Sequence, residues 1–375
     1  MNVVFVSNYF THHQKPFSDA MYKATNGHYT FIGTQEMDDE RKKLGWGGIE
    51  KPVYVKETDY KDKAKWKSCQ AMIDEADVVI QGSIYDAVLK DRLKKGKLTF
   101  IYTERPYKSI SRYLKLPINI YKKVTLRKAY ILCAGGYVAR DYALIRSNMG
   151  KMYKWGYFPV TRLYDSVETV IGRKEKNTIV WAGRFIDWKH PELAVELAHV
   201  LKKDGYDFKL NIIGTGPLEN RIKSLISSYG LKNQVNMMGV RNPDEVRYIM
   251  EKSAIHLFTS DQNEGWGAVL NESMNSACAV IANNMIGSVP FLIKGGENGL
   301  VYKNGDLVDL CNKVKWIIDN PMERIKISMS AYRTIVDEWN AENASDKFLS
   351  ICNKLSAKNP NPFESEGVCS SAKII

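Results

Sequence analysis

Two parallel-sheet α/β domains are the fold this sequence predicts, and three observations predict it. Short apolar runs alternate with amphipathic stretches along nearly the whole chain, the rhythm of βαβ units. At 375 residues the chain has room for two domains, and a polar stretch after Pro159 divides the alternation into two series. Several apolar runs pass straight into glycine-bearing loops, the chemistry expected where a strand hands over to a helix. With 44% hydrophobic residues the chain can build two cores, and no apolar run approaches the roughly 18 residues of a membrane span.

In the first series, strands are predicted over 3–6, 29–32, 52–55, 78–80, 98–102, 130–133 and 153–156, with helices over 64–75, 85–95 and 137–147. Residues 1–160 therefore form one domain, and 161–177 a linker. The second series opens with a strand over 178–182. Leu193, Leu197, Val200 and Leu201 then fall at helical spacing behind Pro191, which suits a first helical turn. Strands over 208–213, 235–238, 254–258, 278–282 and 299–302 alternate with helices over 218–229, 243–251 and 266–277, so that 178–339 forms the second domain. Three helical segments follow Gly305, and the last, over 340–356, is assigned to the first domain. The polar tail 357–375, with Pro360 and Pro362, reads as disordered.

The net charge of +12 is lopsided: residues 1–170 hold 29 Lys and Arg against 18 Asp and Glu, leaving the second half nearly neutral. An acidic partner is therefore expected at the first half. Six cysteines (Cys69, Cys133, Cys278, Cys311, Cys352, Cys369) show no C-x-x-C spacing and read as reduced residues of a cytoplasmic protein. The start, MNVVFVSNYF, runs directly into a strand and lacks the basic region of a signal peptide.

The densest chemistry lies in AIHLFTSDQNEGWGAVLNESMNSACAVIA, residues 254–282. Glu264 and Glu272 stand eight positions apart, the first in a loop freed by Gly265 and Gly267, the second inside the helix that follows. Acids at a helix start are explained by the dipole alone. The loop, however, lies past the C-terminal end of an apolar strand, where open α/β sheets bind ligands. Exposed helix amides there can take a phosphate while carboxylates take sugar hydroxyls.

Three further strand-end loops point the same way. GRFIDWKH places Arg184 and Lys189 after the strand over 178–182; a fixed guanidinium and a movable ammonium suit a diphosphate, and a solvated loop with two ordinary cations is the plainer alternative. Both being loop residues, neither is expected to matter to the ligand-free fold. In IIGTGPLE, Gly214 and Gly216 permit close backbone approach, but Glu219 occupies the third glycine position of G-x-G-x-x-G. The dinucleotide fingerprint is incomplete, a dehydrogenase is disfavoured, and a tight strand-to-helix turn explains the glycines equally well. Gly239 and Val240 repeat the pattern. Convergence of the four loops is more specific than any one of them.

The segments GRFIDWKHPELAVELA, IIGTGPLE, VNMMGVRNPDEV and NEGWGAVLNESMNSACAVIA resemble the donor half of retaining glycosyltransferases of family four, over roughly 180–320 and on to Trp339. The resemblance implies the GT-B architecture, two Rossmann-like domains facing across a cleft, with nucleotide-sugar donor binding in the second. It implies hexosyl transfer from a nucleoside-diphosphate sugar to a glycan or lipid-linked glycan hydroxyl, with configuration retained. Glu264 would contact the transferred sugar, the amides of Gly265, Trp266, Gly267, Ala268 and Val269 would hold sugar and diphosphate, Glu272 the ribose, and the backbone near Val240 the base. Arg184 and Lys189 match the family's cation pair and join Glu264 as catalytic residues. UDP-sugars come first and GDP-mannose second, on family frequency. No D-x-D triplet occurs, so neutralisation by side chains and amides, with neither metal nor cofactor, is expected.

The first half departs from the pattern. Many members carry Gly-Gly after the first strand, where this chain has Ser7-Asn8-Tyr9-Phe10, and many carry a His where it has Thr103-Glu104-Arg105. Asn8, His12, His13 and Glu104 are the acceptor-side candidates, the histidines being equally readable as ordinary loop residues. The segment from Arg105 to Lys128 holds eight Lys and Arg and no Asp or Glu, interleaved with Tyr107, Tyr113, Tyr121 and aliphatics. Such a mixture suits an anionic bilayer, hence peripheral attachment at the inner face of the plasma membrane, or else nucleic acid. The membrane is preferred and nucleic acid is not expected, because a nucleic-acid-binding role leaves Glu264 and Glu272 unexplained. A nucleotide-sugar 2-epimerase on the same architecture is the enzymatic alternative.

Overall fold

A computed structural model of the chain describes residues 1–37, 50–58, 62–82, 86–106 and 127–375. It divides into two units, Met1–Val160 with Asn340–Ile375, and Thr161–Trp339.

The first unit is built on a parallel sheet of β1 (Val3–Ser7), β2 (Tyr29–Gly33), β3 (Val55–Glu57), β4 (Val78–Gln81), β5 (Leu98–Thr103), β6 (Tyr130–Ala134) and β7 (Met152–Trp155), in the order β3-β2-β1-β4-β5-β6-β7. Val3 pairs with Tyr29 on one side and Val78 on the other. All of β1 is buried, as expected for a strand covered on both faces. The strand expected at 52–55 lies at Val55–Glu57 instead, because Val53 and Tyr54 form the turn that leads into it; the Val55 amide donates to Pro52 O at 2.9 Å. The helix expected over 85–95 is a 3₁₀ turn, Asp86–Leu89, followed by the short helix Lys90–Lys94. Arg92 explains why a guanidinium is buried there. It donates to the carbonyls of Ile73, Ala76, Asp77 and Leu98, closing the end of the helix Lys63–Glu75.

The helix Ala341–Ser356, capped by the Asn340 side chain, packs in this first unit. Its Phe348 ring lies 4.9 Å from Phe100 and 5.7 Å from Trp155. The tail does not behave as its composition predicts. Residues 369–372 line the edge of β7: the Lys154 amide donates to Ser370 O at 2.8 Å and the Ala372 amide to Met152 O at 3.0 Å. The Phe363 ring lies 4.7 Å from that of Tyr153, and Val368 and Cys369 are fully buried. An unpaired sheet edge supplies the hydrogen bonds that local sequence cannot.

The second unit has β8 (Glu175–Ala182), β9 (Lys209–Ile213), β10 (Val235–Gly239), β11 (Ser253–Phe258), β12 (Ala279–Asn283) and β13 (Leu300–Tyr302), all parallel, in the order β10-β9-β8-β11-β12-β13. The order reverses between β8 and β11, so the crevice beyond their carboxyl ends is the position where such sheets bind ligands. The stretch expected as a linker is structured. Ser166 caps the helix Val167–Gly172, which packs on Ala277 and Tyr332, and β8 begins three residues before the predicted strand. Arg162 ties this stretch to the same unit, its backbone N–H donating to Asn275 Oδ1 at 2.7 Å and its guanidinium pairing with Asp244 and Glu251. The Lys174 ammonium is held by the carbonyls of Met250, Ser253 and Ser276. No helix among the described residues is long and apolar enough to cross a membrane.

Candidate active site

β8 and β11 lie side by side, and their exit loops are stitched together. Trp181 Nε1, in β8, donates to Thr259 Oγ1 just past β11 at 2.7 Å, and that hydroxyl donates to Lys189 O at 2.7 Å. The Asp261 amide donates to Trp188 O at 2.9 Å, and the Glu264 amide to Asp261 O at 3.1 Å. These bonds bring the predicted cations and the predicted acid to one place.

Lys189 Nζ forms a salt bridge with Glu264 Oε2, and the two side chains are only 17% and 14% exposed. The ammonium also lies 5.8 Å from the centroid of the Phe258 ring. Lys189 is thus not a loosely solvated loop cation but the partner of Glu264, and it bears on the ligand-free fold. Arg184 is different. It is exposed, with its guanidinium 5.9 Å from the ring of Trp188.

The glycines around Glu264 have steric reasons. At Gly267, with φ of 83°, a Cβ would lie 2.2 Å from Phe258 Cζ and 3.2 Å from Glu264 Cγ. Neither contact leaves room for a side chain, and the backbone angle favours glycine as well. That positive φ also delays the helix. It runs over Val269–Asn275 rather than 266–277, so Trp266, Gly267 and Ala268 belong to the loop. Trp266 is fully buried, its Nε1 donating to Asn271 Oδ1 at 2.8 Å and its ring 5.7 Å from Trp339. Its side chain therefore anchors the loop in the core. Gly265 is buried, and Ala268 and Val269 are partly exposed. Glu272 stands in the helix and is partly exposed; loss of hydration raises its carboxyl pKa, against the pull of Arg247 and Arg162.

Gly214 and Gly216 are needed by the neighbouring loop. A Cβ on Gly214 would lie 1.9 Å from Gly183 O, and one on Gly216 2.6 Å from Phe185 O. The Phe185 amide donates to Thr215 O at 2.8 Å, so the backbone that approaches these glycines is that of 183–185. At the end of β10, Gly239 has φ of 68° and Val240 is exposed. The four loops follow β10, β9, β8 and β11, four adjacent strands of one sheet.

Sequence reasoning passed over His190. Its Nδ1 lies 2.9 Å from Glu192 Oε1 and its Nε2 3.4 Å from Asp261 Oδ2, so it links the two loops that carry Lys189 and Glu264. The available signal was its place directly after Lys189 and before Pro191, where the chain must turn sharply.

In the first unit, the acceptor-side candidates divide. The rings of His12 and His13 lie 3.9 Å apart, His13 stacks on Tyr157 at 6.0 Å, and Tyr157 OH donates to Glu104 Oε1 at 2.7 Å. Burial lowers both histidine pKa values, that of His13 to about 3, so both rings are neutral at pH 7. Tyr157, which joins Glu104 to His13, is a second residue that periodicity could not single out. Asn8 turns its Oδ1 into its own loop, accepting from the Tyr9 amide at 3.0 Å. Within the basic segment, 107–126, and with it Tyr107, Tyr113, Tyr121, Lys115, Lys122 and Lys123, lies outside the described residues. Arg105 is not a surface cation. Its Nε lies 3.3 Å from the fully buried Asp141 carboxylate, and its guanidinium 5.4 Å from the Tyr137 ring.

Residues 168–334 match the family described as glycosyl transferases group 1. The chain is 25% identical over 181 residues to an uncharacterized glycosyltransferase of Haemophilus influenzae, covering 48% of this chain and 50% of that protein. It is 24% identical over 170 residues to the poly(ribitol-phosphate) alpha-N-acetylglucosaminyltransferase of Staphylococcus aureus, covering 45% of this chain and 34% of that protein. The matches thus span half or less of these relatives' length. In fold the chain is similar to HepE of Anabaena, crystallised in complex with UDP, with a TM-score of 0.72 and 13% identity over 95% of this chain and 100% of that one. The stretch 168–334 is thus similar to glycosyltransferase domains, and the two parallel-sheet units have the α/β architecture of the GT-B fold.

Proposed function

We propose that this chain transfers a hexosyl unit from a nucleoside-diphosphate sugar, a UDP-sugar before a GDP-sugar, to a hydroxyl of a glycan or lipid-linked glycan, with retention at the anomeric carbon. The observation that carries the reading is the Lys189–Glu264 salt bridge at the point where the strand order of the second sheet reverses, with Arg184 exposed in the same loop. An acid and two cations there match the charges of the reaction. The bond between C1 and the diphosphate oxygen breaks with its electron pair, so negative charge grows on the leaving group while C1 becomes oxocarbenium-like. Lys189 and Arg184 meet the first charge, and Glu264 the sugar hydroxyls beside the second. The acceptor oxygen then bonds C1 on the face the diphosphate leaves, and its proton passes to the departing diphosphate oxygen.

Further support comes from the kinds of protein this chain resembles, a group 1 glycosyltransferase domain and an N-acetylglucosaminyltransferase. The amides of 265–269 are assigned to sugar and diphosphate, Glu272 to the ribose and Val240 to the base. His12, His13, Tyr157 and Glu104 are assigned to the acceptor side. Metal and cofactor are not required in this reading, and activity should survive EDTA. We place the protein in the cytoplasm, with the basic segment 105–128, apart from Arg105 paired with Asp141, attaching it to an anionic membrane.

The test is release of nucleoside diphosphate from UDP- and GDP-sugars in the presence of a glycan acceptor, with the product anomer read by NMR. Glu264→Gln should lower kcat by tenfold or more, on the order expected for loss of one transition-state contact, and leave affinity for UDP within about threefold. Wild-type turnover in that variant, or an inverted product, overturns the assignment.

A further inference from the structure

We infer that His190 is a positioning residue for this transfer, an imidazolium strut that holds the turn from Asp261 to Glu264 against the loop bearing Arg184 and Lys189. The inference rests on the reading of Glu264 and Lys189 given above, and it adds a residue that acts on them through Asp261.

The geometry is specific. His190 ends the 3₁₀ turn Asp187–Lys189 and begins the helix Pro191–Lys203, with φ of 48° and ψ of 55°. Few side chains adopt that left-handed conformation. It aims the ring between two carboxylates on different segments, Glu192 in the first turn of its own helix at 2.9 Å and Asp261 from the loop after β11 at 3.4 Å. Each ring nitrogen faces a carboxylate oxygen, which can only accept, so both contacts are made together only when both nitrogens carry protons. The imidazole is 32% exposed, whereas Glu192 and Asp261 are 14% and 15% exposed. The other charged groups close by are Lys189, next in the chain and paired with Glu264, and Arg221, which acts on Glu192 from the helix Glu219–Ser228.

Asp261 is where the strut meets the site. Its Oδ1 accepts from the Asn263 amide at 2.8 Å, its backbone N–H donates to Trp188 O at 2.9 Å, and its carbonyl accepts from the Glu264 amide at 3.1 Å. Displacing Asp261 therefore displaces Glu264, and with it the ammonium of Lys189. Hydrogen bonding to Glu192, reinforced by Asp261, raises the His190 pKa above its ordinary 6.5. The strut is complete below that raised value and loses one of its contacts as pH rises through it.

Two measurements test this. In NMR spectra assigned with His190→Gly, the His190 ring should titrate above pH 6.5 and move toward 6.5 in Asp261→Asn. A ring that titrates at or below 6.5 in the wild type overturns the strut, whatever the enzyme does. The kinetic arm uses His190→Gly because glycine keeps the left-handed backbone and removes only the ring. Its kcat should fall about tenfold, the scale of a small misplacement of a reacting group, with KM for the donor within about twofold. The alkaline fall in wild-type kcat should disappear, Asp261→Asn should behave alike, and the double variant should be no worse than the poorer single. Wild-type kcat and pH profile in His190→Gly overturn the positioning role. A wild-type protein that releases nucleoside diphosphate from no donor refutes the transfer reading instead, and the ring titration still decides the strut.

Discussion

His256 sits in the middle of β11, the strand that leads to the Glu264 loop, fully buried and with neither ring nitrogen hydrogen-bonded. Burial lowers its pKa from 6.5 to about 3. The unfolded chain takes up a proton near pH 6.5 and the native protein refuses it until about pH 3, so the unfolded state binds more protons throughout that window. Stability from this site is therefore whole above pH 7 and is lost as pH falls from 6.5 toward 3. The loss is on the order of 1 kcal/mol at pH 5.5 and about 3 kcal/mol at pH 4.5. His256→Leu removes the site. At pH 7.5 the variant sheds two unpartnered polar atoms, worth about 1–3 kcal/mol, against a packing mismatch of similar size. The sign at that pH is thus a poor guide, and the change with pH is the diagnostic quantity. Urea unfolding followed by circular dichroism, at pH 7.5 and 5.5, should show the variant gaining on the order of 1 kcal/mol on the wild type as the pH is lowered. The remaining titrating groups are common to both proteins and cancel. No gain between the two pH values would mean that His256 is not held neutral in β11.

Three other outcomes are expected. Gly267→Ala places a methyl 2.2 Å from Phe258 Cζ at a positive φ, and should cost about 2–4 kcal/mol of stability and depress turnover by moving Glu264; a urea midpoint and kcat equal to wild type would refute the packing argument. Arg184→Ala and Lys189→Ala should each weaken UDP binding by about 1–3 kcal/mol in calorimetry, and Lys189→Ala should also destabilise the ligand-free protein, by about 1–3 kcal/mol, because it leaves Glu264 without its ion-pair partner. Wild-type apo stability in Lys189→Ala would contradict that. Lys115, Lys122, Lys123 and Lys128 changed together to Gln should release the protein from anionic liposomes, each cation being worth about 1 kcal/mol, while turnover of a soluble acceptor persists. Failure of the wild type to float with such liposomes at low salt, together with tight RNA binding, would refute the membrane assignment.

How far the chain could be read without coordinates depended on the range of the interactions involved. Apolar runs such as Val3–Ser7 and Ser253–Phe258 announced their strands because a strand buried on both faces must be apolar along its length. The loops bearing Arg184, Gly214, Gly239 and Glu264 could be located because each follows such a run. Local rules erred where a distant partner overrode them. Composition made residues 369–372 a free tail, yet an open sheet edge at β7 binds their backbone. Helical spacing started a helix at Trp266, but Gly267 takes a φ of 83°, which no helix accepts, with the Phe258 ring in the place of a side chain. The pairing of Lys189 with Glu264 joins residues 75 positions apart, and that of His190 with Asp261 residues 71 apart. Neither is encoded in any spacing. Both exist because β8 and β11 become neighbours when the strand order reverses, and parallel pairing of distant segments is a property of the folded sheet alone.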